Sequence, residues 1–266
     1  MLNLNTSYHF ILKIKRNNLT ALLITYNEIH NIDAAIATVS FVDEIVVVDS
    51  FSTDGTLEAV QKYKNVKLIQ HKFINFSDQR NFALQQASND WVLFIDADER
   101  ISKDLQREIS EAVNNVQAII AYAFYRKFYF KKSPLKFSGY QTNKAFRLFN
   151  KNFVKYSKDK FVHETLNVNG KTTYLSHKLD HYSYINEENY KAKLISYAQL
   201  RAKEMYLKKV KPNFYHFYIK PAYRFLSHYI IRLGFLDGKN GYKISKLNAF
   251  EVQQRYVELR KLYTKS

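Results

Sequence analysis

The chain has 266 residues, 46% hydrophobic and 24% charged, a balance that excludes general disorder and suits one sizeable domain, or one domain with a smaller appendage. It contains no cysteine, which excludes a disulfide framework, a cysteine-based zinc site and a cysteine nucleophile, and fits a reducing, cytoplasmic setting. The net charge of +17 asks for an anionic partner: nucleic acid, an anionic membrane surface or a phosphorylated substrate.

Residues 1–17 show no clear period and read as an edge strand or a loose arm. Leu19 to Thr25 is the first predicted strand, followed by Tyr26-Asn27-Glu28. Asn31 to Ser40 reads as a helix with Ile32, Ala35, Ile36 and Val39 on one face. Glu44 to Val48 is a second strand ending in Asp49-Ser50, and a helix follows Thr56 with Leu57, Val60 and Tyr63 as its apolar face. Val66 to Gln70 is a short third strand, and Phe76 to Ala87 a helix carrying Arg80. Trp91-Val92-Leu93-Phe94-Ile95 is a continuous apolar run, as expected of a strand buried on both faces of a parallel sheet. Strands alternating with helices in this way predict βαβ crossovers, with helices on both faces of the sheet.

The run ends in Asp96-Ala97-Asp98. Two carboxylates at i and i+2 suit one hard divalent cation, Mg2+ or Mn2+, which shares its other ligands with phosphate oxygens. The alternative is a helix start, with Asp98 as cap and Glu99 in the first turn. A helix over Leu105–Val116 follows; then Tyr122 to Phe130 and Ala145 to Phe149 read as antiparallel additions, separated by turns at Ser133-Pro134 and Ser138-Gly139. From Asn186 the pattern is helical. No segment reaches the ~18 apolar residues of a spanning helix, and the N-terminal Tyr8–Leu12 patch is too short for a signal peptide, so a soluble or membrane-peripheral protein is expected.

The loops after the predicted strands share one rim of the sheet, where open α/β sheets bind ligands. They carry Thr25, Tyr26, Asn27 and Glu28, then Asp49 and Ser50, then Asp96, Ala97 and Asp98, with Arg80 near enough to offer a planar fork to phosphates. Asp54-Gly55-Thr56 reads as a turn and cap rather than a ligand contact.

A strand ending in Asn-Glu, a strand ending in Asp-x-x-Ser-x-Asp-Gly-Thr and an apolar strand ending in Asp-x-Asp closely resemble family 2 glycosyltransferases. That family implies the GT-A fold: a mostly parallel Rossmann-type sheet flanked by helices, here with a helical C-terminal region. It implies a nucleotide-diphospho-sugar donor and inversion at the anomeric carbon. Asp43–Ser50, Ile95–Arg100, Val162-His163-Glu164 and Leu236-Asp237-Gly238-Lys239-Asn240-Gly241 further resemble bacterial enzymes that add a β-linked hexose, often glucose, to the lipopolysaccharide inner core. By that resemblance Asp49 is the base-binding aspartate, Asp96 and Asp98 form the metal motif, and Arg80 is a phosphate contact. The resemblance divides the chain into a nucleotide-sugar-binding half at 18–125, an acceptor-binding half at 126–185 and a helical extension at 186–266. It implies a UDP-hexose donor and a glycolipid acceptor, with no nucleic acid involved and a cytoplasmic enzyme peripheral on the inner membrane. Members of that subgroup carry an acidic residue shortly after Ser-Gly-Trp, whereas this chain has Ser138-Gly139-Tyr140-Gln141-Thr142-Asn143 and no carboxylate.

An inverting transfer needs a base for the acceptor hydroxyl and a Lewis acid for the leaving diphosphate. Glu164 is the candidate base and His163 a positioning group or metal ligand; Asp180 and His181 are weaker alternatives for the base. In the C-terminal region Phe225, Leu226, Tyr229, Ile230, Leu233 and Leu236 recur at helical spacing from Pro221 onward. Beside them Lys220, Arg224, His228 and Arg232 form a basic stripe, which predicts contact with an anionic membrane surface. A polyprenyl phosphate or another envelope glycan is the alternative acceptor. A basic, non-enzymatic nucleic-acid-binding protein is the alternative of another class. Against that reading, carboxylates at successive strand ends repel phosphate unless a metal intervenes.

Overall fold

The structure is a computed structural model that describes residues 17–115, 118–131, 133–157, 165–184 and 187–264. In chain order the first half runs β1 (Leu19–Thr25), α1 (Ile32–Thr38), β2 (Glu44–Asp49), α2 (Thr56–Gln61), β3 (Val66–Gln70), α3 (Phe76–Gln86) and β4 (Trp91–Asp96). It continues through β5 (Glu99–Arg100), α4 (Lys103–Val113), β6 (Ile119–Phe130), β7 (Ser133–Pro134) and β8 (Lys144–Asn150). The short strands β9 (Val154–Tyr156), β10 (Leu166–Val168), β11 (Lys171–Tyr174) and β12 (Leu179–Tyr184) lead to the helices α5 (Glu187–Leu207), α6 (Lys220–Leu226) and α7 (Gly238–Thr264).

The main sheet has the order β3-β2-β1-β4-β8-β6-β12-β5. The first four strands in that order are parallel, as the βαβ pattern requires, and β8 joins antiparallel to both β4 and β6. Alternate side chains of the central strands enter two separate cores. Ala21, Leu23, Ile45, Val47, Leu93 and Ile95 pack with α1, α2 and α4 on one face. Leu22, Val46, Val48, Val92 and Phe94 pack with Ala83 and Leu84 of α3 on the other. Each such fully buried aliphatic side chain contributes roughly 1.5–3 kcal/mol, and their period of two fixes the strand register.

Ser102, not Asp98, caps α4 through its hydroxyl to the Leu105 N–H. Glu99 and Arg100 instead pair with β12, so the helix-start reading of Asp98-Glu99 does not hold. The last helix, α7, begins at Gly238, which makes the Leu236–Gly241 motif its entrance. Tyr63 lies beyond the end of α2, and Val116, the predicted end of α4, lies outside the described residues.

Strand β6 crosses the expected 125/126 boundary without a break. Ala121–Tyr125 pair with β8, and Arg126–Phe130 pair with β12. Phe128, Phe130, Leu135 and Tyr140 then form a third core with Tyr190 and Leu194 of α5 and Ile244 and Leu247 of α7, which seats the helical region on this part of the sheet.

Around α6 the helical rod is continuous from Tyr215 to Ile231, with wider π turns at Tyr215–Ile219 and Ser227–Ile231. Pro221 sits just after the first of these, where its missing N–H and its ring are accommodated by the looser turn. Asp237 closes the other end: its carboxylate accepts from the backbone N–H groups of Lys136 and Phe137 at 3.0 and 2.9 Å. Gly234 and Gly241 let two backbones touch, since a Cβ on Gly241 would lie 1.7 Å from the Gly234 carbonyl oxygen. The late glycine-rich motif is thus a clamp between the helical region and the loop before Tyr140.

The basic stripe is placed differently from expectation. Lys220 Nζ bonds the Tyr256 hydroxyl at 3.0 Å, Arg224 meets His228 at 3.3 Å, and His228 is buried. Arg232 lies against Gly139. Of the stripe only His228 is buried; Lys220 and Arg224 are half-buried at the edge of the contact with α7, Arg232 is exposed, and the apolar face beside them is exposed as well.

Candidate functional site

The parallel register puts Thr25 of β1 beside Asp49 of β2 and Ile24 beside Asp96 of β4, so the three strands end together on one rim. The loops after β1 and β2 are fastened to each other. Asn27, in the left-handed region at φ 54°, donates its backbone N–H to Ser52 Oγ (2.9 Å), and its side-chain oxygen accepts from Thr53 N (2.8 Å). Asp54 accepts from Ile29 N and Thr56 N, and Thr56 Oγ1 accepts from Glu28 N. Asp54-Gly55-Thr56 is therefore a turn that shapes the neighbouring loop, as read from the sequence.

Asp49 is fully buried, and its carboxylate accepts from Ser52 N at 2.9 Å and Gln70 Nε2 at 3.3 Å, with the Ser52 hydroxyl as a third donor. It holds the turn rather than facing the rim. Ser50 is also buried and accepts from Gln79 Nε2. What the two loops present outward is aromatic: Tyr26 is 59% exposed and Phe51 53%. Thr25 is buried, and its hydroxyl has no hydrogen-bond partner.

Asp96 lies between two guanidinium groups. Arg80 Nη2 donates to Oδ1 at 2.7 Å and Arg147 Nη2 to Oδ2 at 2.5 Å. Arg80 comes from α3, which Asn75 caps, and is buried over the Phe94 ring at 4.6 Å. One of its guanidinium nitrogens is engaged by Asp96. Arg147 of β8 also donates to Glu99 Oε1 at 2.7 Å, and Glu99 Oε2 accepts the Asp96 N–H at 3.0 Å. Burial would raise the Asp96 carboxyl, but Arg147 and Arg80 outweigh it and hold it well below the usual range. Ala97 is buried, and its carbonyl accepts from Arg100.

Asp98 is buried and has different cations. Lys193 Nζ of α5 lies 2.9 Å from Oδ2, and His181 Nε2 of β12 lies 3.1 Å from Oδ1. Burial would raise this carboxyl too; Lys193 and His181 hold it ionised, well below the usual range. Glu28 stands 3.9 Å from Lys193, and burial raises its carboxyl. Among the described residues no three carboxylate, imidazole or thiol groups converge as a finished metal cage. Asp98 and His181 are hydrogen-bonded at 3.1 Å. With Nε2 deprotonated, that spacing is close to the ~3.0 Å between cis ligands at ~2.1 Å from an octahedral ion. It would suit a cation that accepts nitrogen, Mn2+ rather than Mg2+. The remaining positions would fall to water and phosphate.

Glu164 and His163 lie outside the described residues. The loop without a carboxylate is packed instead: the Tyr140 ring is buried 4.7 Å from Phe128, and its hydroxyl accepts from Asn248. Phe128 in turn lies 4.7 Å from the His181 ring, which connects that loop to the acidic pair. Sequence reasoning missed Arg147 and Lys193, and it weighed His181 only as a base. Their one signal was residue type, a lone cation in an aromatic strand or in a helix.

The ends of the parallel strands thus gather aromatics, acidic residues and their cations on one rim, and three comparisons say which family carries it. The family described as Glycosyl transferase family 2 matches residues 20–174. A glycosyltransferase of Rickettsia felis is 31% identical over 93% of this chain and 91% of its own length. The lipopolysaccharide core biosynthesis glycosyltransferase LpsC of Rhizobium meliloti is 26% identical over 90% of this chain and 93% of its own. In fold, the chain is similar to the mannosyltransferase PcManGT of Pyrobaculum calidifontis, solved with GDP-Man and Mn2+, at a TM-score of 0.54 and 15% identity over 94% of this chain and 88% of that one. The chain belongs to glycosyl transferase family 2. Its sheet is of the GT-A type, it is an enzyme, and the reading as a non-enzymatic nucleic-acid-binding protein is set aside.

Proposed function

We propose that the chain transfers a hexose, glucose in the first instance, from a UDP-sugar to a lipopolysaccharide inner-core acceptor, with inversion and with Mn2+, in preference to Mg2+, bound at Asp98. The observation that carries this reading is the Asp98–His181 pair at the end of β4, a carboxylate and an imidazole at the spacing of neighbouring ligands on the nucleotide rim. The likeness to LpsC supports the acceptor class. Enzymes acting there work at the cytoplasmic face of the inner membrane, which is the location we assign.

In this reading Tyr26 and Phe51 offer flat apolar surfaces to the base, with Asn27 and Glu28 at the same edge. Arg80 and Arg147 clamp Asp96, so the Asp-Ala-Asp turn is preformed before the donor arrives. Lys193 balances Asp98 and adds a cation for the diphosphate. The metal, when bound, supplies Lewis-acid stabilisation of the departing diphosphate. Glu164 takes the acceptor hydroxyl's proton as that oxygen bonds the anomeric carbon and the bond to the diphosphate breaks; His163 positions the acceptor. The 126–185 segment is the acceptor-binding half.

A panel of nucleotide sugars, each with a truncated inner-core acceptor and with or without divalent metal, tests this by release of nucleoside diphosphate. Release from UDP-glucose that requires both metal and acceptor is expected. Metal-independent release, or none with any donor, overturns the proposal.

A further inference from the structure

The rod from Tyr215 to Ile231 covers α7 with one face and leaves the other bare. Tyr215, Ile219, Tyr223, Leu226, Ile230 and Ile231 stand at helical spacing on the bare face, each about half to two-thirds exposed. Beside them His228 is buried, while Lys220 and Arg224 are half-buried along the flank, Lys220 with its ammonium against Tyr256 and over the Tyr215 ring. So long an apolar stripe left in water is a binding surface rather than ordinary scatter.

Charge surrounds the stripe. Lys208, Lys209 and Lys211 are exposed just before the rod. Beside it, a cavity of about 530 Å3 is lined by Lys191, Lys239, Lys243 and Lys246, with Tyr229, Tyr242 and Phe250 as its aromatic wall. Among the described residues lining it, Glu187 is the one carboxylate, paired to Lys243 at 3.1 Å. Among the described residues no helix is long and apolar enough to cross a membrane, so this element has the make-up of one that lies in an interface.

We propose that the rod is a membrane-docking element: its apolar stripe enters the acyl boundary of a bilayer while the lysine-lined cavity beside it takes an anionic phospholipid headgroup. A second copy of the chain is the poorer occupant. A two-fold pair would set lysine rim against lysine rim in a chain of net charge +17. The proposal does not depend on the donor, the metal or the reaction. It also gives the Asp237 clamp a purpose, since the docking rod and the loop before Tyr140 are then held as one body at the surface from which a lipid-linked acceptor arrives.

Flotation of the full chain with vesicles tests it, using phosphatidylcholine alone and phosphatidylcholine with phosphatidylglycerol. The wild type is expected to float with the anionic vesicles and more weakly with the neutral ones. The triple variant Ile219→Asp, Leu226→Asp, Ile230→Asp should lose at least about tenfold in binding to both. Lys239→Glu with Lys246→Glu should lose about fivefold per lysine with anionic vesicles only. Circular dichroism and thermal melting should match the wild type in all variants, since the altered side chains already face water, and donor hydrolysis without vesicles should be unchanged. Failure of wild-type flotation, or equal flotation of the triple variant, overturns the proposal. A dimer in light scattering that the triple variant dissolves, with no capture by vesicles, also overturns it and gives the face to a second copy.

Discussion

Lys193 Nζ lies 2.9 Å from Asp98 Oδ2, so an ammonium group stands beside the carboxylate proposed to hold the metal. Burial would lower the Lys193 ammonium, but Asp98, Tyr197 and Glu28 raise it well above the usual lysine range, and it stays charged at any physiological pH. Lys193→Met should leave Asp98 under-compensated. In chelator the variant is expected to lose about 1–3 kcal/mol of stability, and Mn2+ should restore it more than it helps the wild type. Urea unfolding with and without the metal measures both; an equal response of variant and wild type would remove Lys193 from this role.

Asp98→Asn keeps the shape of the turn and removes its charge. Transfer should fall at least about a hundredfold. Because Lys193 and His181 lose their counter-charge, urea unfolding should also show a loss of about 1–3 kcal/mol, with the variant still folded at assay temperature. Glu164→Gln should fall by a similar factor, as expected of a general base, with nucleotide binding near normal by calorimetry. Near-normal turnover in the Gln variant would take Glu164 out of the mechanism.

Gly241→Ala forces a methyl group into the Gly234 carbonyl. A cost of at least about 2 kcal/mol is expected in chemical denaturation. Gly238→Ala places its methyl in open space, but at φ 59° it retains backbone strain, so its cost should be smaller, about 1 kcal/mol. The order of the two variants is the test.

His228 gives a pH signature. Burial, with Arg224 and Arg232 close by, pushes its imidazole down from 6.5 to about 4, so the folded chain holds it neutral where the unfolded chain would protonate it. Between those values the unfolded state binds more protons, and stability rises with pH. The contribution is complete above about pH 6.5, is lost as pH falls toward 4, and amounts to at most about 3 kcal/mol. His228→Phe should flatten that part of the stability profile; an unchanged slope would place the acid sensitivity elsewhere.

The strands, their order on the rim and the acidic pair were legible because each rests on local pattern. An apolar run such as Trp91–Ile95 can only be buried, and Asp96 and Asp98 follow it directly in the chain. The cations that set their charge were not legible. Arg147 reaches Asp96 across 51 residues and Lys193 reaches Asp98 across 95, and nothing in either local sequence announces the contact. Arg80 was recognised from its place at the start of a helix, but its bond to Asp96, 16 residues on, was not. Around Pro221 helical spacing revealed two faces, yet spacing alone does not say which one α7 takes. Lys220 meets the Tyr256 hydroxyl at the edge of that contact.

Strand β6 is hydrogen-bonded to β8 along Ala121–Tyr125 and to β12 along Arg126–Phe130. A strand shared in this way is a stiff spar, and residues on its two halves cannot swing apart about it as jaws on a hinge. On the proposed division into donor and acceptor sides, closure over a bound sugar would fall to the rim loops, and the gap between the two sides would be set when the chain folds.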